Sequence, residues 1–289
     1  MILSSWNIIG LNKPFKQKEL INFLLKNKVD MIGCLETKVK ANNVKKVIRR
    51  LGNEWKFYTD YSQAPNGRIC VGWKQRDVTV IILEFTTQLV HCQVEDRSSQ
   101  FKCKISFVYG FNTIAARKTL WDTLRLTGRN MDDPWVVLGD LNTVLYADDR
   151  INGIPVHLTK TVDFQSCVTN VGLGQITRRG WQYSWSNKRD SPDRIYSHID
   201  WAFGNDKWFQ YYGSLEATYH NLGYSDHTSI TIITGVSRHK LKKLFRLLNV
   251  PLSKDAFKED VKECWLQRIT GYSMYVIWRK LKSYSQQYE

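Results

Sequence analysis

Five short stretches, far apart in the chain, set a carboxylate, an amide or a histidine at the end of an apolar run. They are Trp6-Asn7, Leu35-Glu36-Thr37, Leu138-Gly139-Asp140-Leu141-Asn142, Ser197-His198-Ile199-Asp200 and Ser225-Asp226-His227. The runs they adjoin have the length of β-strands, and strand ends ordinarily carry turn-forming residues rather than this set. Acids, amides and an imidazole delivered to one place suit both a divalent cation and a phosphate ester. The fold must therefore bring several strand ends to a common edge.

The rest of the pattern says how. Strands are expected over 3–9 and Val29 to Leu35, with helices over Lys16 to Lys28 and Asn43 to Leu51, the first marked by the apolar stripe Leu20, Phe23 and Leu24. From Trp55 to Tyr109 the period changes to short alternating strands: Lys56–Tyr61, Arg68–Trp73, Thr79–Leu83, Leu89–Val94 and Phe101–Tyr109. Turn residues separate these strands, which predicts consecutive antiparallel hairpins. Beyond them, helices are expected over Ala115–Leu126, Asp163–Val171 and Asn205–Tyr211. Strands are expected over Trp135–Leu138, Trp181–Ser186, Ile195–Phe203, Leu215–Tyr219 and Thr228–Ile233. Helices recurring between strands, with hairpins in the middle, predict an α/β four-layer sandwich. Two mainly antiparallel sheets pack face to face, flanked by helices. Residues 1–234 form that domain. Residues 235–289, with 12 Lys and Arg against 5 Asp and Glu, form a basic helical extension of two helices around Gly271.

At 289 residues the chain is long enough to bury a sizeable core without covalent staples. The six cysteines (34, 70, 92, 103, 167 and 264) show no metal spacing and mostly lie in apolar runs, as expected of reduced core thiols in an intracellular protein. No apolar stretch reaches the length of a membrane span, and the first residues lack the pattern of a signal peptide, so no membrane partner is expected. A net charge of +15 favours a polyanion.

Glu36 follows the run Met31-Ile32-Gly33-Cys34-Leu35, where a carboxylate can bind Mg²⁺ directly. Asp140 and Asn142 flank Leu141 and on an extended segment would face the same side. Asp226 neighbours His227 but diverges from it, so Asp200 is the better group to orient the imidazole. Taken singly, each has a bland explanation: a surface acid, an Asx turn, a structural histidine. One positioned acid or base gives roughly 10²–10⁴-fold, short of what phosphodiester hydrolysis demands, so the set counts jointly.

The ordered set Trp6-Asn7, Glu36-Thr37, Tyr109-Gly110-Phe111-Asn112, Gly139-Asp140-Leu141-Asn142, Ile199-Asp200-Trp201 and Ser225-Asp226-His227 resembles the endonuclease/exonuclease/phosphatase superfamily. More closely, it is similar to the apurinic-type endonuclease domain of plant LINE-type non-LTR retrotransposons. Asp149-Arg150-Ile151-Asn152-Gly153, Gly172-Leu173-Gly174 and Trp185-Ser186-Asn187 support that subgroup. The resemblance covers about residues 2–234, and Phe245–Asn249 with Tyr275–Trp278 resembles the connector that leads towards a reverse transcriptase.

The resemblance implies a Mg²⁺-dependent endonuclease, with Mn²⁺ as an alternative ion, that nicks one DNA strand to leave a 3′-hydroxyl and a 5′-phosphate. Glu36 would hold the metal, and Asp226 would serve a second metal position or shape the site. Asn7 would support Glu36 or the phosphate, and Asn112 with Tyr109 would contact the scissile phosphate. Asp140 would activate water, while Asn142 and His227 stabilise charge and Asp200 orients His227. DNA is the expected partner, in the nucleus, with RNA as a second partner of the basic tail. The alternatives are a catalytically decayed nucleic-acid-binding module and a small-molecule phosphoesterase of the same superfamily. Two departures stand out: Ile9 where relatives carry an acidic or basic residue, and His198 where a longer basic residue is commoner.

Overall fold

Strand parity decides which side chains meet. The computed structural model describes residues 1–62, 64–223 and 225–234, together with 259, 262–263, 265–270, 276–277 and 279–280 of the tail. The chain opens β1 (Ile2–Asn7), α1 (Pro14–Lys26), β2 (Met31–Leu35), α2 (Ala41–Leu51), β3 (Trp55–Thr59) and β4 (Ile69–Lys74). Next come β5 (Val78–Phe85), β6 (Leu89–Asp96), β7 (Lys102–Tyr109), α3 (Ile114–Gly128), β8 (Trp135–Asp140), β9 (Arg150–Ile151) and α4 (Val162–Val171). They are followed by β10 (Gly174–Gln175), β11 (Thr177–Gly180), β12 (Trp185–Ser186) and β13 (Tyr196–Ser197). β14 (Asp200–Gly204), α5 (Asp206–Tyr212), β15 (Glu216–Tyr219) and β16 (Ser229–Ile233) complete the set.

A seven-stranded sheet runs β11-β15-β16-β1-β2-β4-β3, and a six-stranded sheet runs β10-β14-β8-β7-β6-β5. Within them only β1–β2, β7–β8 and β11–β15 pair in parallel; every other pairing is antiparallel. The inner core between the sheets holds Leu3, Met31 and Leu35 from one side and Ile105, Phe107, Val136, Leu138 and Ala202 from the other. Leu20 and Leu24 of α1 and Val47 and Leu51 of α2 cover the outer face of the first sheet, meeting Trp6, Ile32 and Cys34. Leu120, Trp121 and Leu124 of α3 and Phe164 and Cys167 of α4 cover the second, against Trp135, Val137, Trp201 and Phe203. The expected four-layer sandwich is thus the architecture found. Each fully buried Leu or Phe in these layers is worth about 1.5–3 kcal/mol.

Local chemistry sets the helix ends. Pro14 opens α1, where its missing N–H costs nothing. Thr113 accepts from the Ala116 N–H to cap α3, and Asn205 accepts from the Trp208 N–H to cap α5.

The hairpin run expected from Trp55 to Tyr109 is broken between β4 and β5, which lie in different sheets. β4 is buried on both faces and belongs inside a sheet, whereas β5 is largely exposed and forms an edge. The single strand expected over Ile195–Phe203 is interrupted at His198 and Ile199, whose N–H groups bond to the Asp149 carbonyl and Ser184 Oγ instead. The strand expected over Trp181–Ser186 shrinks to Trp185–Ser186, and β9, β10 and β11 are additional, too short or too polar to show alternation. By contact density the chain divides into Met1–Leu244 and Phe245–Glu289. The basic stretch Arg238–Lys243 and most of the expected tail helices lie outside the described residues. Within the tail, Lys280 donates to the Trp265 carbonyl and sits over its ring. No helix among the described residues is long and apolar enough to cross a membrane, and Cys34, Cys70, Cys92, Cys103 and Cys167 are buried free thiols.

Gly139, one residue before Asp140, adopts φ +143°, and a Cβ there would lie 2.2 Å from the Val108 carbonyl oxygen. Gly139→Ala is expected to cost roughly 2–4 kcal/mol, by backbone strain plus overpacking that a β-ladder cannot relieve. Urea titration checks this through the midpoint at constant slope. A loss under about 0.5 kcal/mol, the ordinary surface range, would contradict it.

Candidate active site

The parity that fills the inner core also builds the site. Leu3, Leu35, Phe107, Leu138 and Ala202 point between the sheets. The same alternation carries Asn7, Tyr109, Asp140 and Asp200 to the end of that space. Asp140 on β8 stands in direct register with Tyr109 on β7 and with Asp200 on β14. Glu36 follows β2 and His227 precedes β16, which close the first sheet around them.

Asn7 is the hub. It is 1% exposed, and its Nδ2 lies 2.8 Å from Asp140 Oδ2, 3.3 Å from Glu36 Oε2 and 3.4 Å from His227 Nε2. Its Oδ1 accepts the Ile9 N–H at 3.3 Å, which fixes the amide with its donors towards the carboxylates. Ile9 takes φ +44° to close that turn and is half-buried. Ile9 thus acts at the site through its backbone.

His227 Nδ1 is 2.8 Å from Asp200 Oδ2, and its Nε2 is 3.8 Å from Asp140 Oδ2. Burial alone lowers the imidazole, but the charges of Asp200 and Asp140 outweigh it and push it up to about 10. Burial and the charge of Asp200 raise Asp140 to about 7. Ser184 Oγ accepts the N–H groups of both Ile199 and Asp200, while Ser225 Oγ donates to the Asn7 carbonyl at 2.6 Å. Trp6 Nε1 donates to the His227 carbonyl, so the first sheet holds the backbone of His227 while Asp200 of the second holds its ring.

Glu36 sits at φ +51°, half-buried, with Oε1 2.8 Å from Lys38 Nζ. Burial raises its carboxyl, but hydrogen bonds from Lys38, Tyr109 and Asn7 hold it below the ordinary value. The Tyr109 hydroxyl bonds to Glu36, and burial beside that carboxylate raises the phenol far above its usual range.

The acids provide two places for a divalent ion. Ligand atoms of Asp140, Asp200 and His227 lie within 4.8 Å of one another. There, however, Nδ1 is committed to Asp200 and Nε2 faces the Asn7 amide at 3.4 Å, so the imidazole is already engaged on both edges. Glu36 fits a hard cation better. It is an ionised oxygen donor, Asn7 ties it to a second one, Asp140, and a cation, the Lys38 ammonium, already stands against it.

Other residues expected at the site are placed differently. Asn142 is not extended beside Asp140: it takes φ +53° in a turn closed by its own N–H on Asp140 Oδ1, and its amide donates to the Gly110 carbonyl at 2.8 Å. Asp226 Oδ2 accepts from Trp185 Nε1 at 3.1 Å, and its charge is felt by Lys16. Asn112 is exposed in the loop after β7. Among the described residues, no hydrogen bond joins the side chains of Asn112, Asn142 or Asp226 directly to Asn7, Glu36, Asp140, Asp200 or His227. His198 is 1% exposed against Trp201 and Tyr219, and burial lowers its imidazole to about 3, so it is a neutral core group. Sequence reasoning gave no site role to Arg68 or Ser184, and it named Trp6, Trp185 and Ser225 without a role. Lys38, two residues past Glu36, carried a readable signal; the rest act only through tertiary contact.

No family profile and no curated protein matches the sequence. Solved structures do match the fold. The endonuclease domain of TRAS1, a telomere-specific non-LTR retrotransposon, aligns with TM-score 0.61 at 12% identity over 82% of this chain and 99% of that one. An AP endonuclease from Archaeoglobus fulgidus aligns with TM-score 0.59 at 14% identity, covering 82% and 100%. An endonuclease/exonuclease/phosphatase family protein from Bacteroides thetaiotaomicron aligns with TM-score 0.54 at 11% identity, covering 80% and 93%. The chain shares with all three the endonuclease/exonuclease/phosphatase sandwich fold.

Proposed function

We propose that this chain is a divalent-metal-dependent DNA endonuclease of retroelement origin. It hydrolyses one phosphodiester of a duplex and leaves a 3′-hydroxyl and a 5′-phosphate. The observation that carries the reading is the Asn7 amide bridging Glu36 and Asp140 beside a His227 held by Asp200. A carboxylate for a hard cation, a second carboxylate poised to ionise near neutrality and a buried imidazolium form the set that phosphodiester hydrolysis needs.

Asp140, raised to about 7, accepts the proton of the attacking water once ionised. His227, as imidazolium, donates to a phosphoryl oxygen as negative charge builds there, and Asp200 keeps its ring in place. Asn7 orients Asp140 and Glu36 relative to each other. Tyr109 holds Glu36, while Asn112 and Asn142, on loops linked by the Asn142–Gly110 bond, flank the phosphate. Mg²⁺, or Mn²⁺ in its place, would be held by Glu36 and would supply positive charge to the phosphate; Asp226 takes a peripheral role beside Trp185. The net charge of +15 draws a polyanionic duplex to the site, consistent with a nuclear location. In this reading residues 1–234 carry the chemistry, and 235–289 adds basic charge for DNA or RNA.

The test is conversion of supercoiled plasmid to open circle. Wild type is expected to nick with Mg²⁺ and not with EDTA, and Glu36→Ala and His227→Ala are each expected to lose at least about 10²-fold. Folded wild type that binds DNA without Mg²⁺-dependent nicking would make the chain a binding module instead.

A further inference from the structure

Arg68 stands just before β4, where its carbonyl accepts the Thr37 N–H and so braces the turn that presents Glu36. Its side chain crosses to the other sheet. Nε donates to the Thr87 carbonyl at 2.7 Å and Nη2 to the Tyr109 carbonyl at 3.1 Å. The guanidinium carbon sits 4.3 Å from the ring centroid of Tyr109 and 4.3 Å from that of Phe111, so the plane is clasped by two aromatic side chains. The group is half-buried, yet among the described residues no carboxylate lies within ion-pair distance of it, and Nη1 has no protein acceptor. A partly desolvated charge without a counter-ion is unfavourable unless an anion completes it.

The surroundings say which anion. Arg68 stands over Tyr109, whose hydroxyl bonds to Glu36, and the field of Glu36 and Asp140 reaches it. Phe111 leads into the loop that carries Asn112. The cation therefore lies at the rim of the acid site, rigid, with an unspent donor edge. Arg presents such an edge to phosphate in a planar, bidentate way that Lys cannot.

We infer that Arg68 is a substrate-binding residue whose free guanidinium edge takes a backbone phosphate next to the scissile one. The inference rests on the phosphodiesterase reading and adds to it a fixed phosphate subsite between Tyr109 and Phe111. The subsite lets an acid-rich centre accept an anionic strand. It also sets the register of the strand, because a stacked and twice hydrogen-bonded guanidinium cannot follow a displaced phosphate.

The test is equilibrium binding of a fluorescein-labelled 20-base-pair duplex by the full chain in EDTA, over a range of salt. Arg68→Met keeps the apolar stem between the rings and removes the charge. It is expected to weaken binding roughly tenfold at low salt, as loss of one charged hydrogen bond does. The slope of log K against log salt should fall by about 0.9, one phosphate's worth of released counterions. Arg68→Lys should keep most of the slope while losing affinity. If R68M does not fold, R68Q, whose amide can keep a donor towards the Thr87 carbonyl, replaces it. Equal slopes for wild type and the neutral variant would overturn the proposal and leave Arg68 as a clamp on the Tyr109 loop, with the nuclease reading intact. Wild type that binds no duplex at any salt would overturn both.

Discussion

Asp200→Asn is expected to slow DNA nicking by about 10²–10⁴-fold while leaving duplex affinity nearly unchanged. The carboxylate touches no solvent-facing group; it accepts from His227 Nδ1 at 2.8 Å and is anchored through its own N–H to Ser184. An amide at this place can donate as well as accept, so it permits the wrong ring tautomer, and it removes the negative charge that keeps the ring protonated. The pH profile discriminates this from a mere packing defect. In the wild type, activity should rise through about 7 as Asp140 loses its proton and fall through about 10 as His227 loses its own. Asp200 contributes to both positions, raising Asp140 by repulsion and His227 by attraction. Its neutral replacement should therefore move both limbs to lower pH. A variant with reduced rate and an unmoved profile would show that Asp200 does not act through His227.

Asn7→Asp should be the most destabilising isosteric change at the site in the absence of metal. The native amide donates to Asp140 and Glu36 from a position that water scarcely reaches. A carboxylate of the same shape removes those donors and sets a third negative charge between two acids. The His227 imidazolium 3.4 Å away offsets only part of that charge, and a buried charge left without full compensation costs up to about 3–5 kcal/mol. For a chain of this size that corresponds to a melting temperature lower by roughly 6–20 °C in EDTA. Three converging carboxylates bind a hard cation better than two, so millimolar Mg²⁺ should recover much of the loss through mass action. Acidification should recover it too: burial raises the new carboxyl, so its cost is present above that raised value and disappears as falling pH protonates it. Thermal melts at two pH values, with and without Mg²⁺, check all of this. A melting temperature that falls equally with and without the ion would place the metal away from Glu36 and Asn7.

The outcome at Asn142 shows how far one-dimensional spacing carries. Residues two apart share a face only while the strand lasts, and β8 ends at Asp140, whose own carboxylate closes the turn that redirects Asn142. The hairpin run failed for a related reason. Alternation marks β4 and β5 alike as strands but does not say which sheet each joins, because that depends on what covers their faces. His198 shows the same limit. Beside Ile199 and Asp200 it stands out in the sequence as a departure from the motif, and only its neighbours Trp201 and Tyr219, which enclose it in the core, explain it.

The layered architecture and the identities of Asn7, Glu36, Asp140, Asp200 and His227 were legible from period and residue type. Alternation fixes which face a strand buries, and acids and amides closing several apolar runs count as a set although each alone has a structural use. Their joint geometry was not legible. Asn7 meets Asp140 across 133 positions because the two sheets pack with their strand ends together, and it meets His227 across 220 because β1 pairs with β16. The state of each proton, the turn of Asn142 and the clasp on Arg68 follow from burial and from neighbours on other strands, which no local pattern encodes.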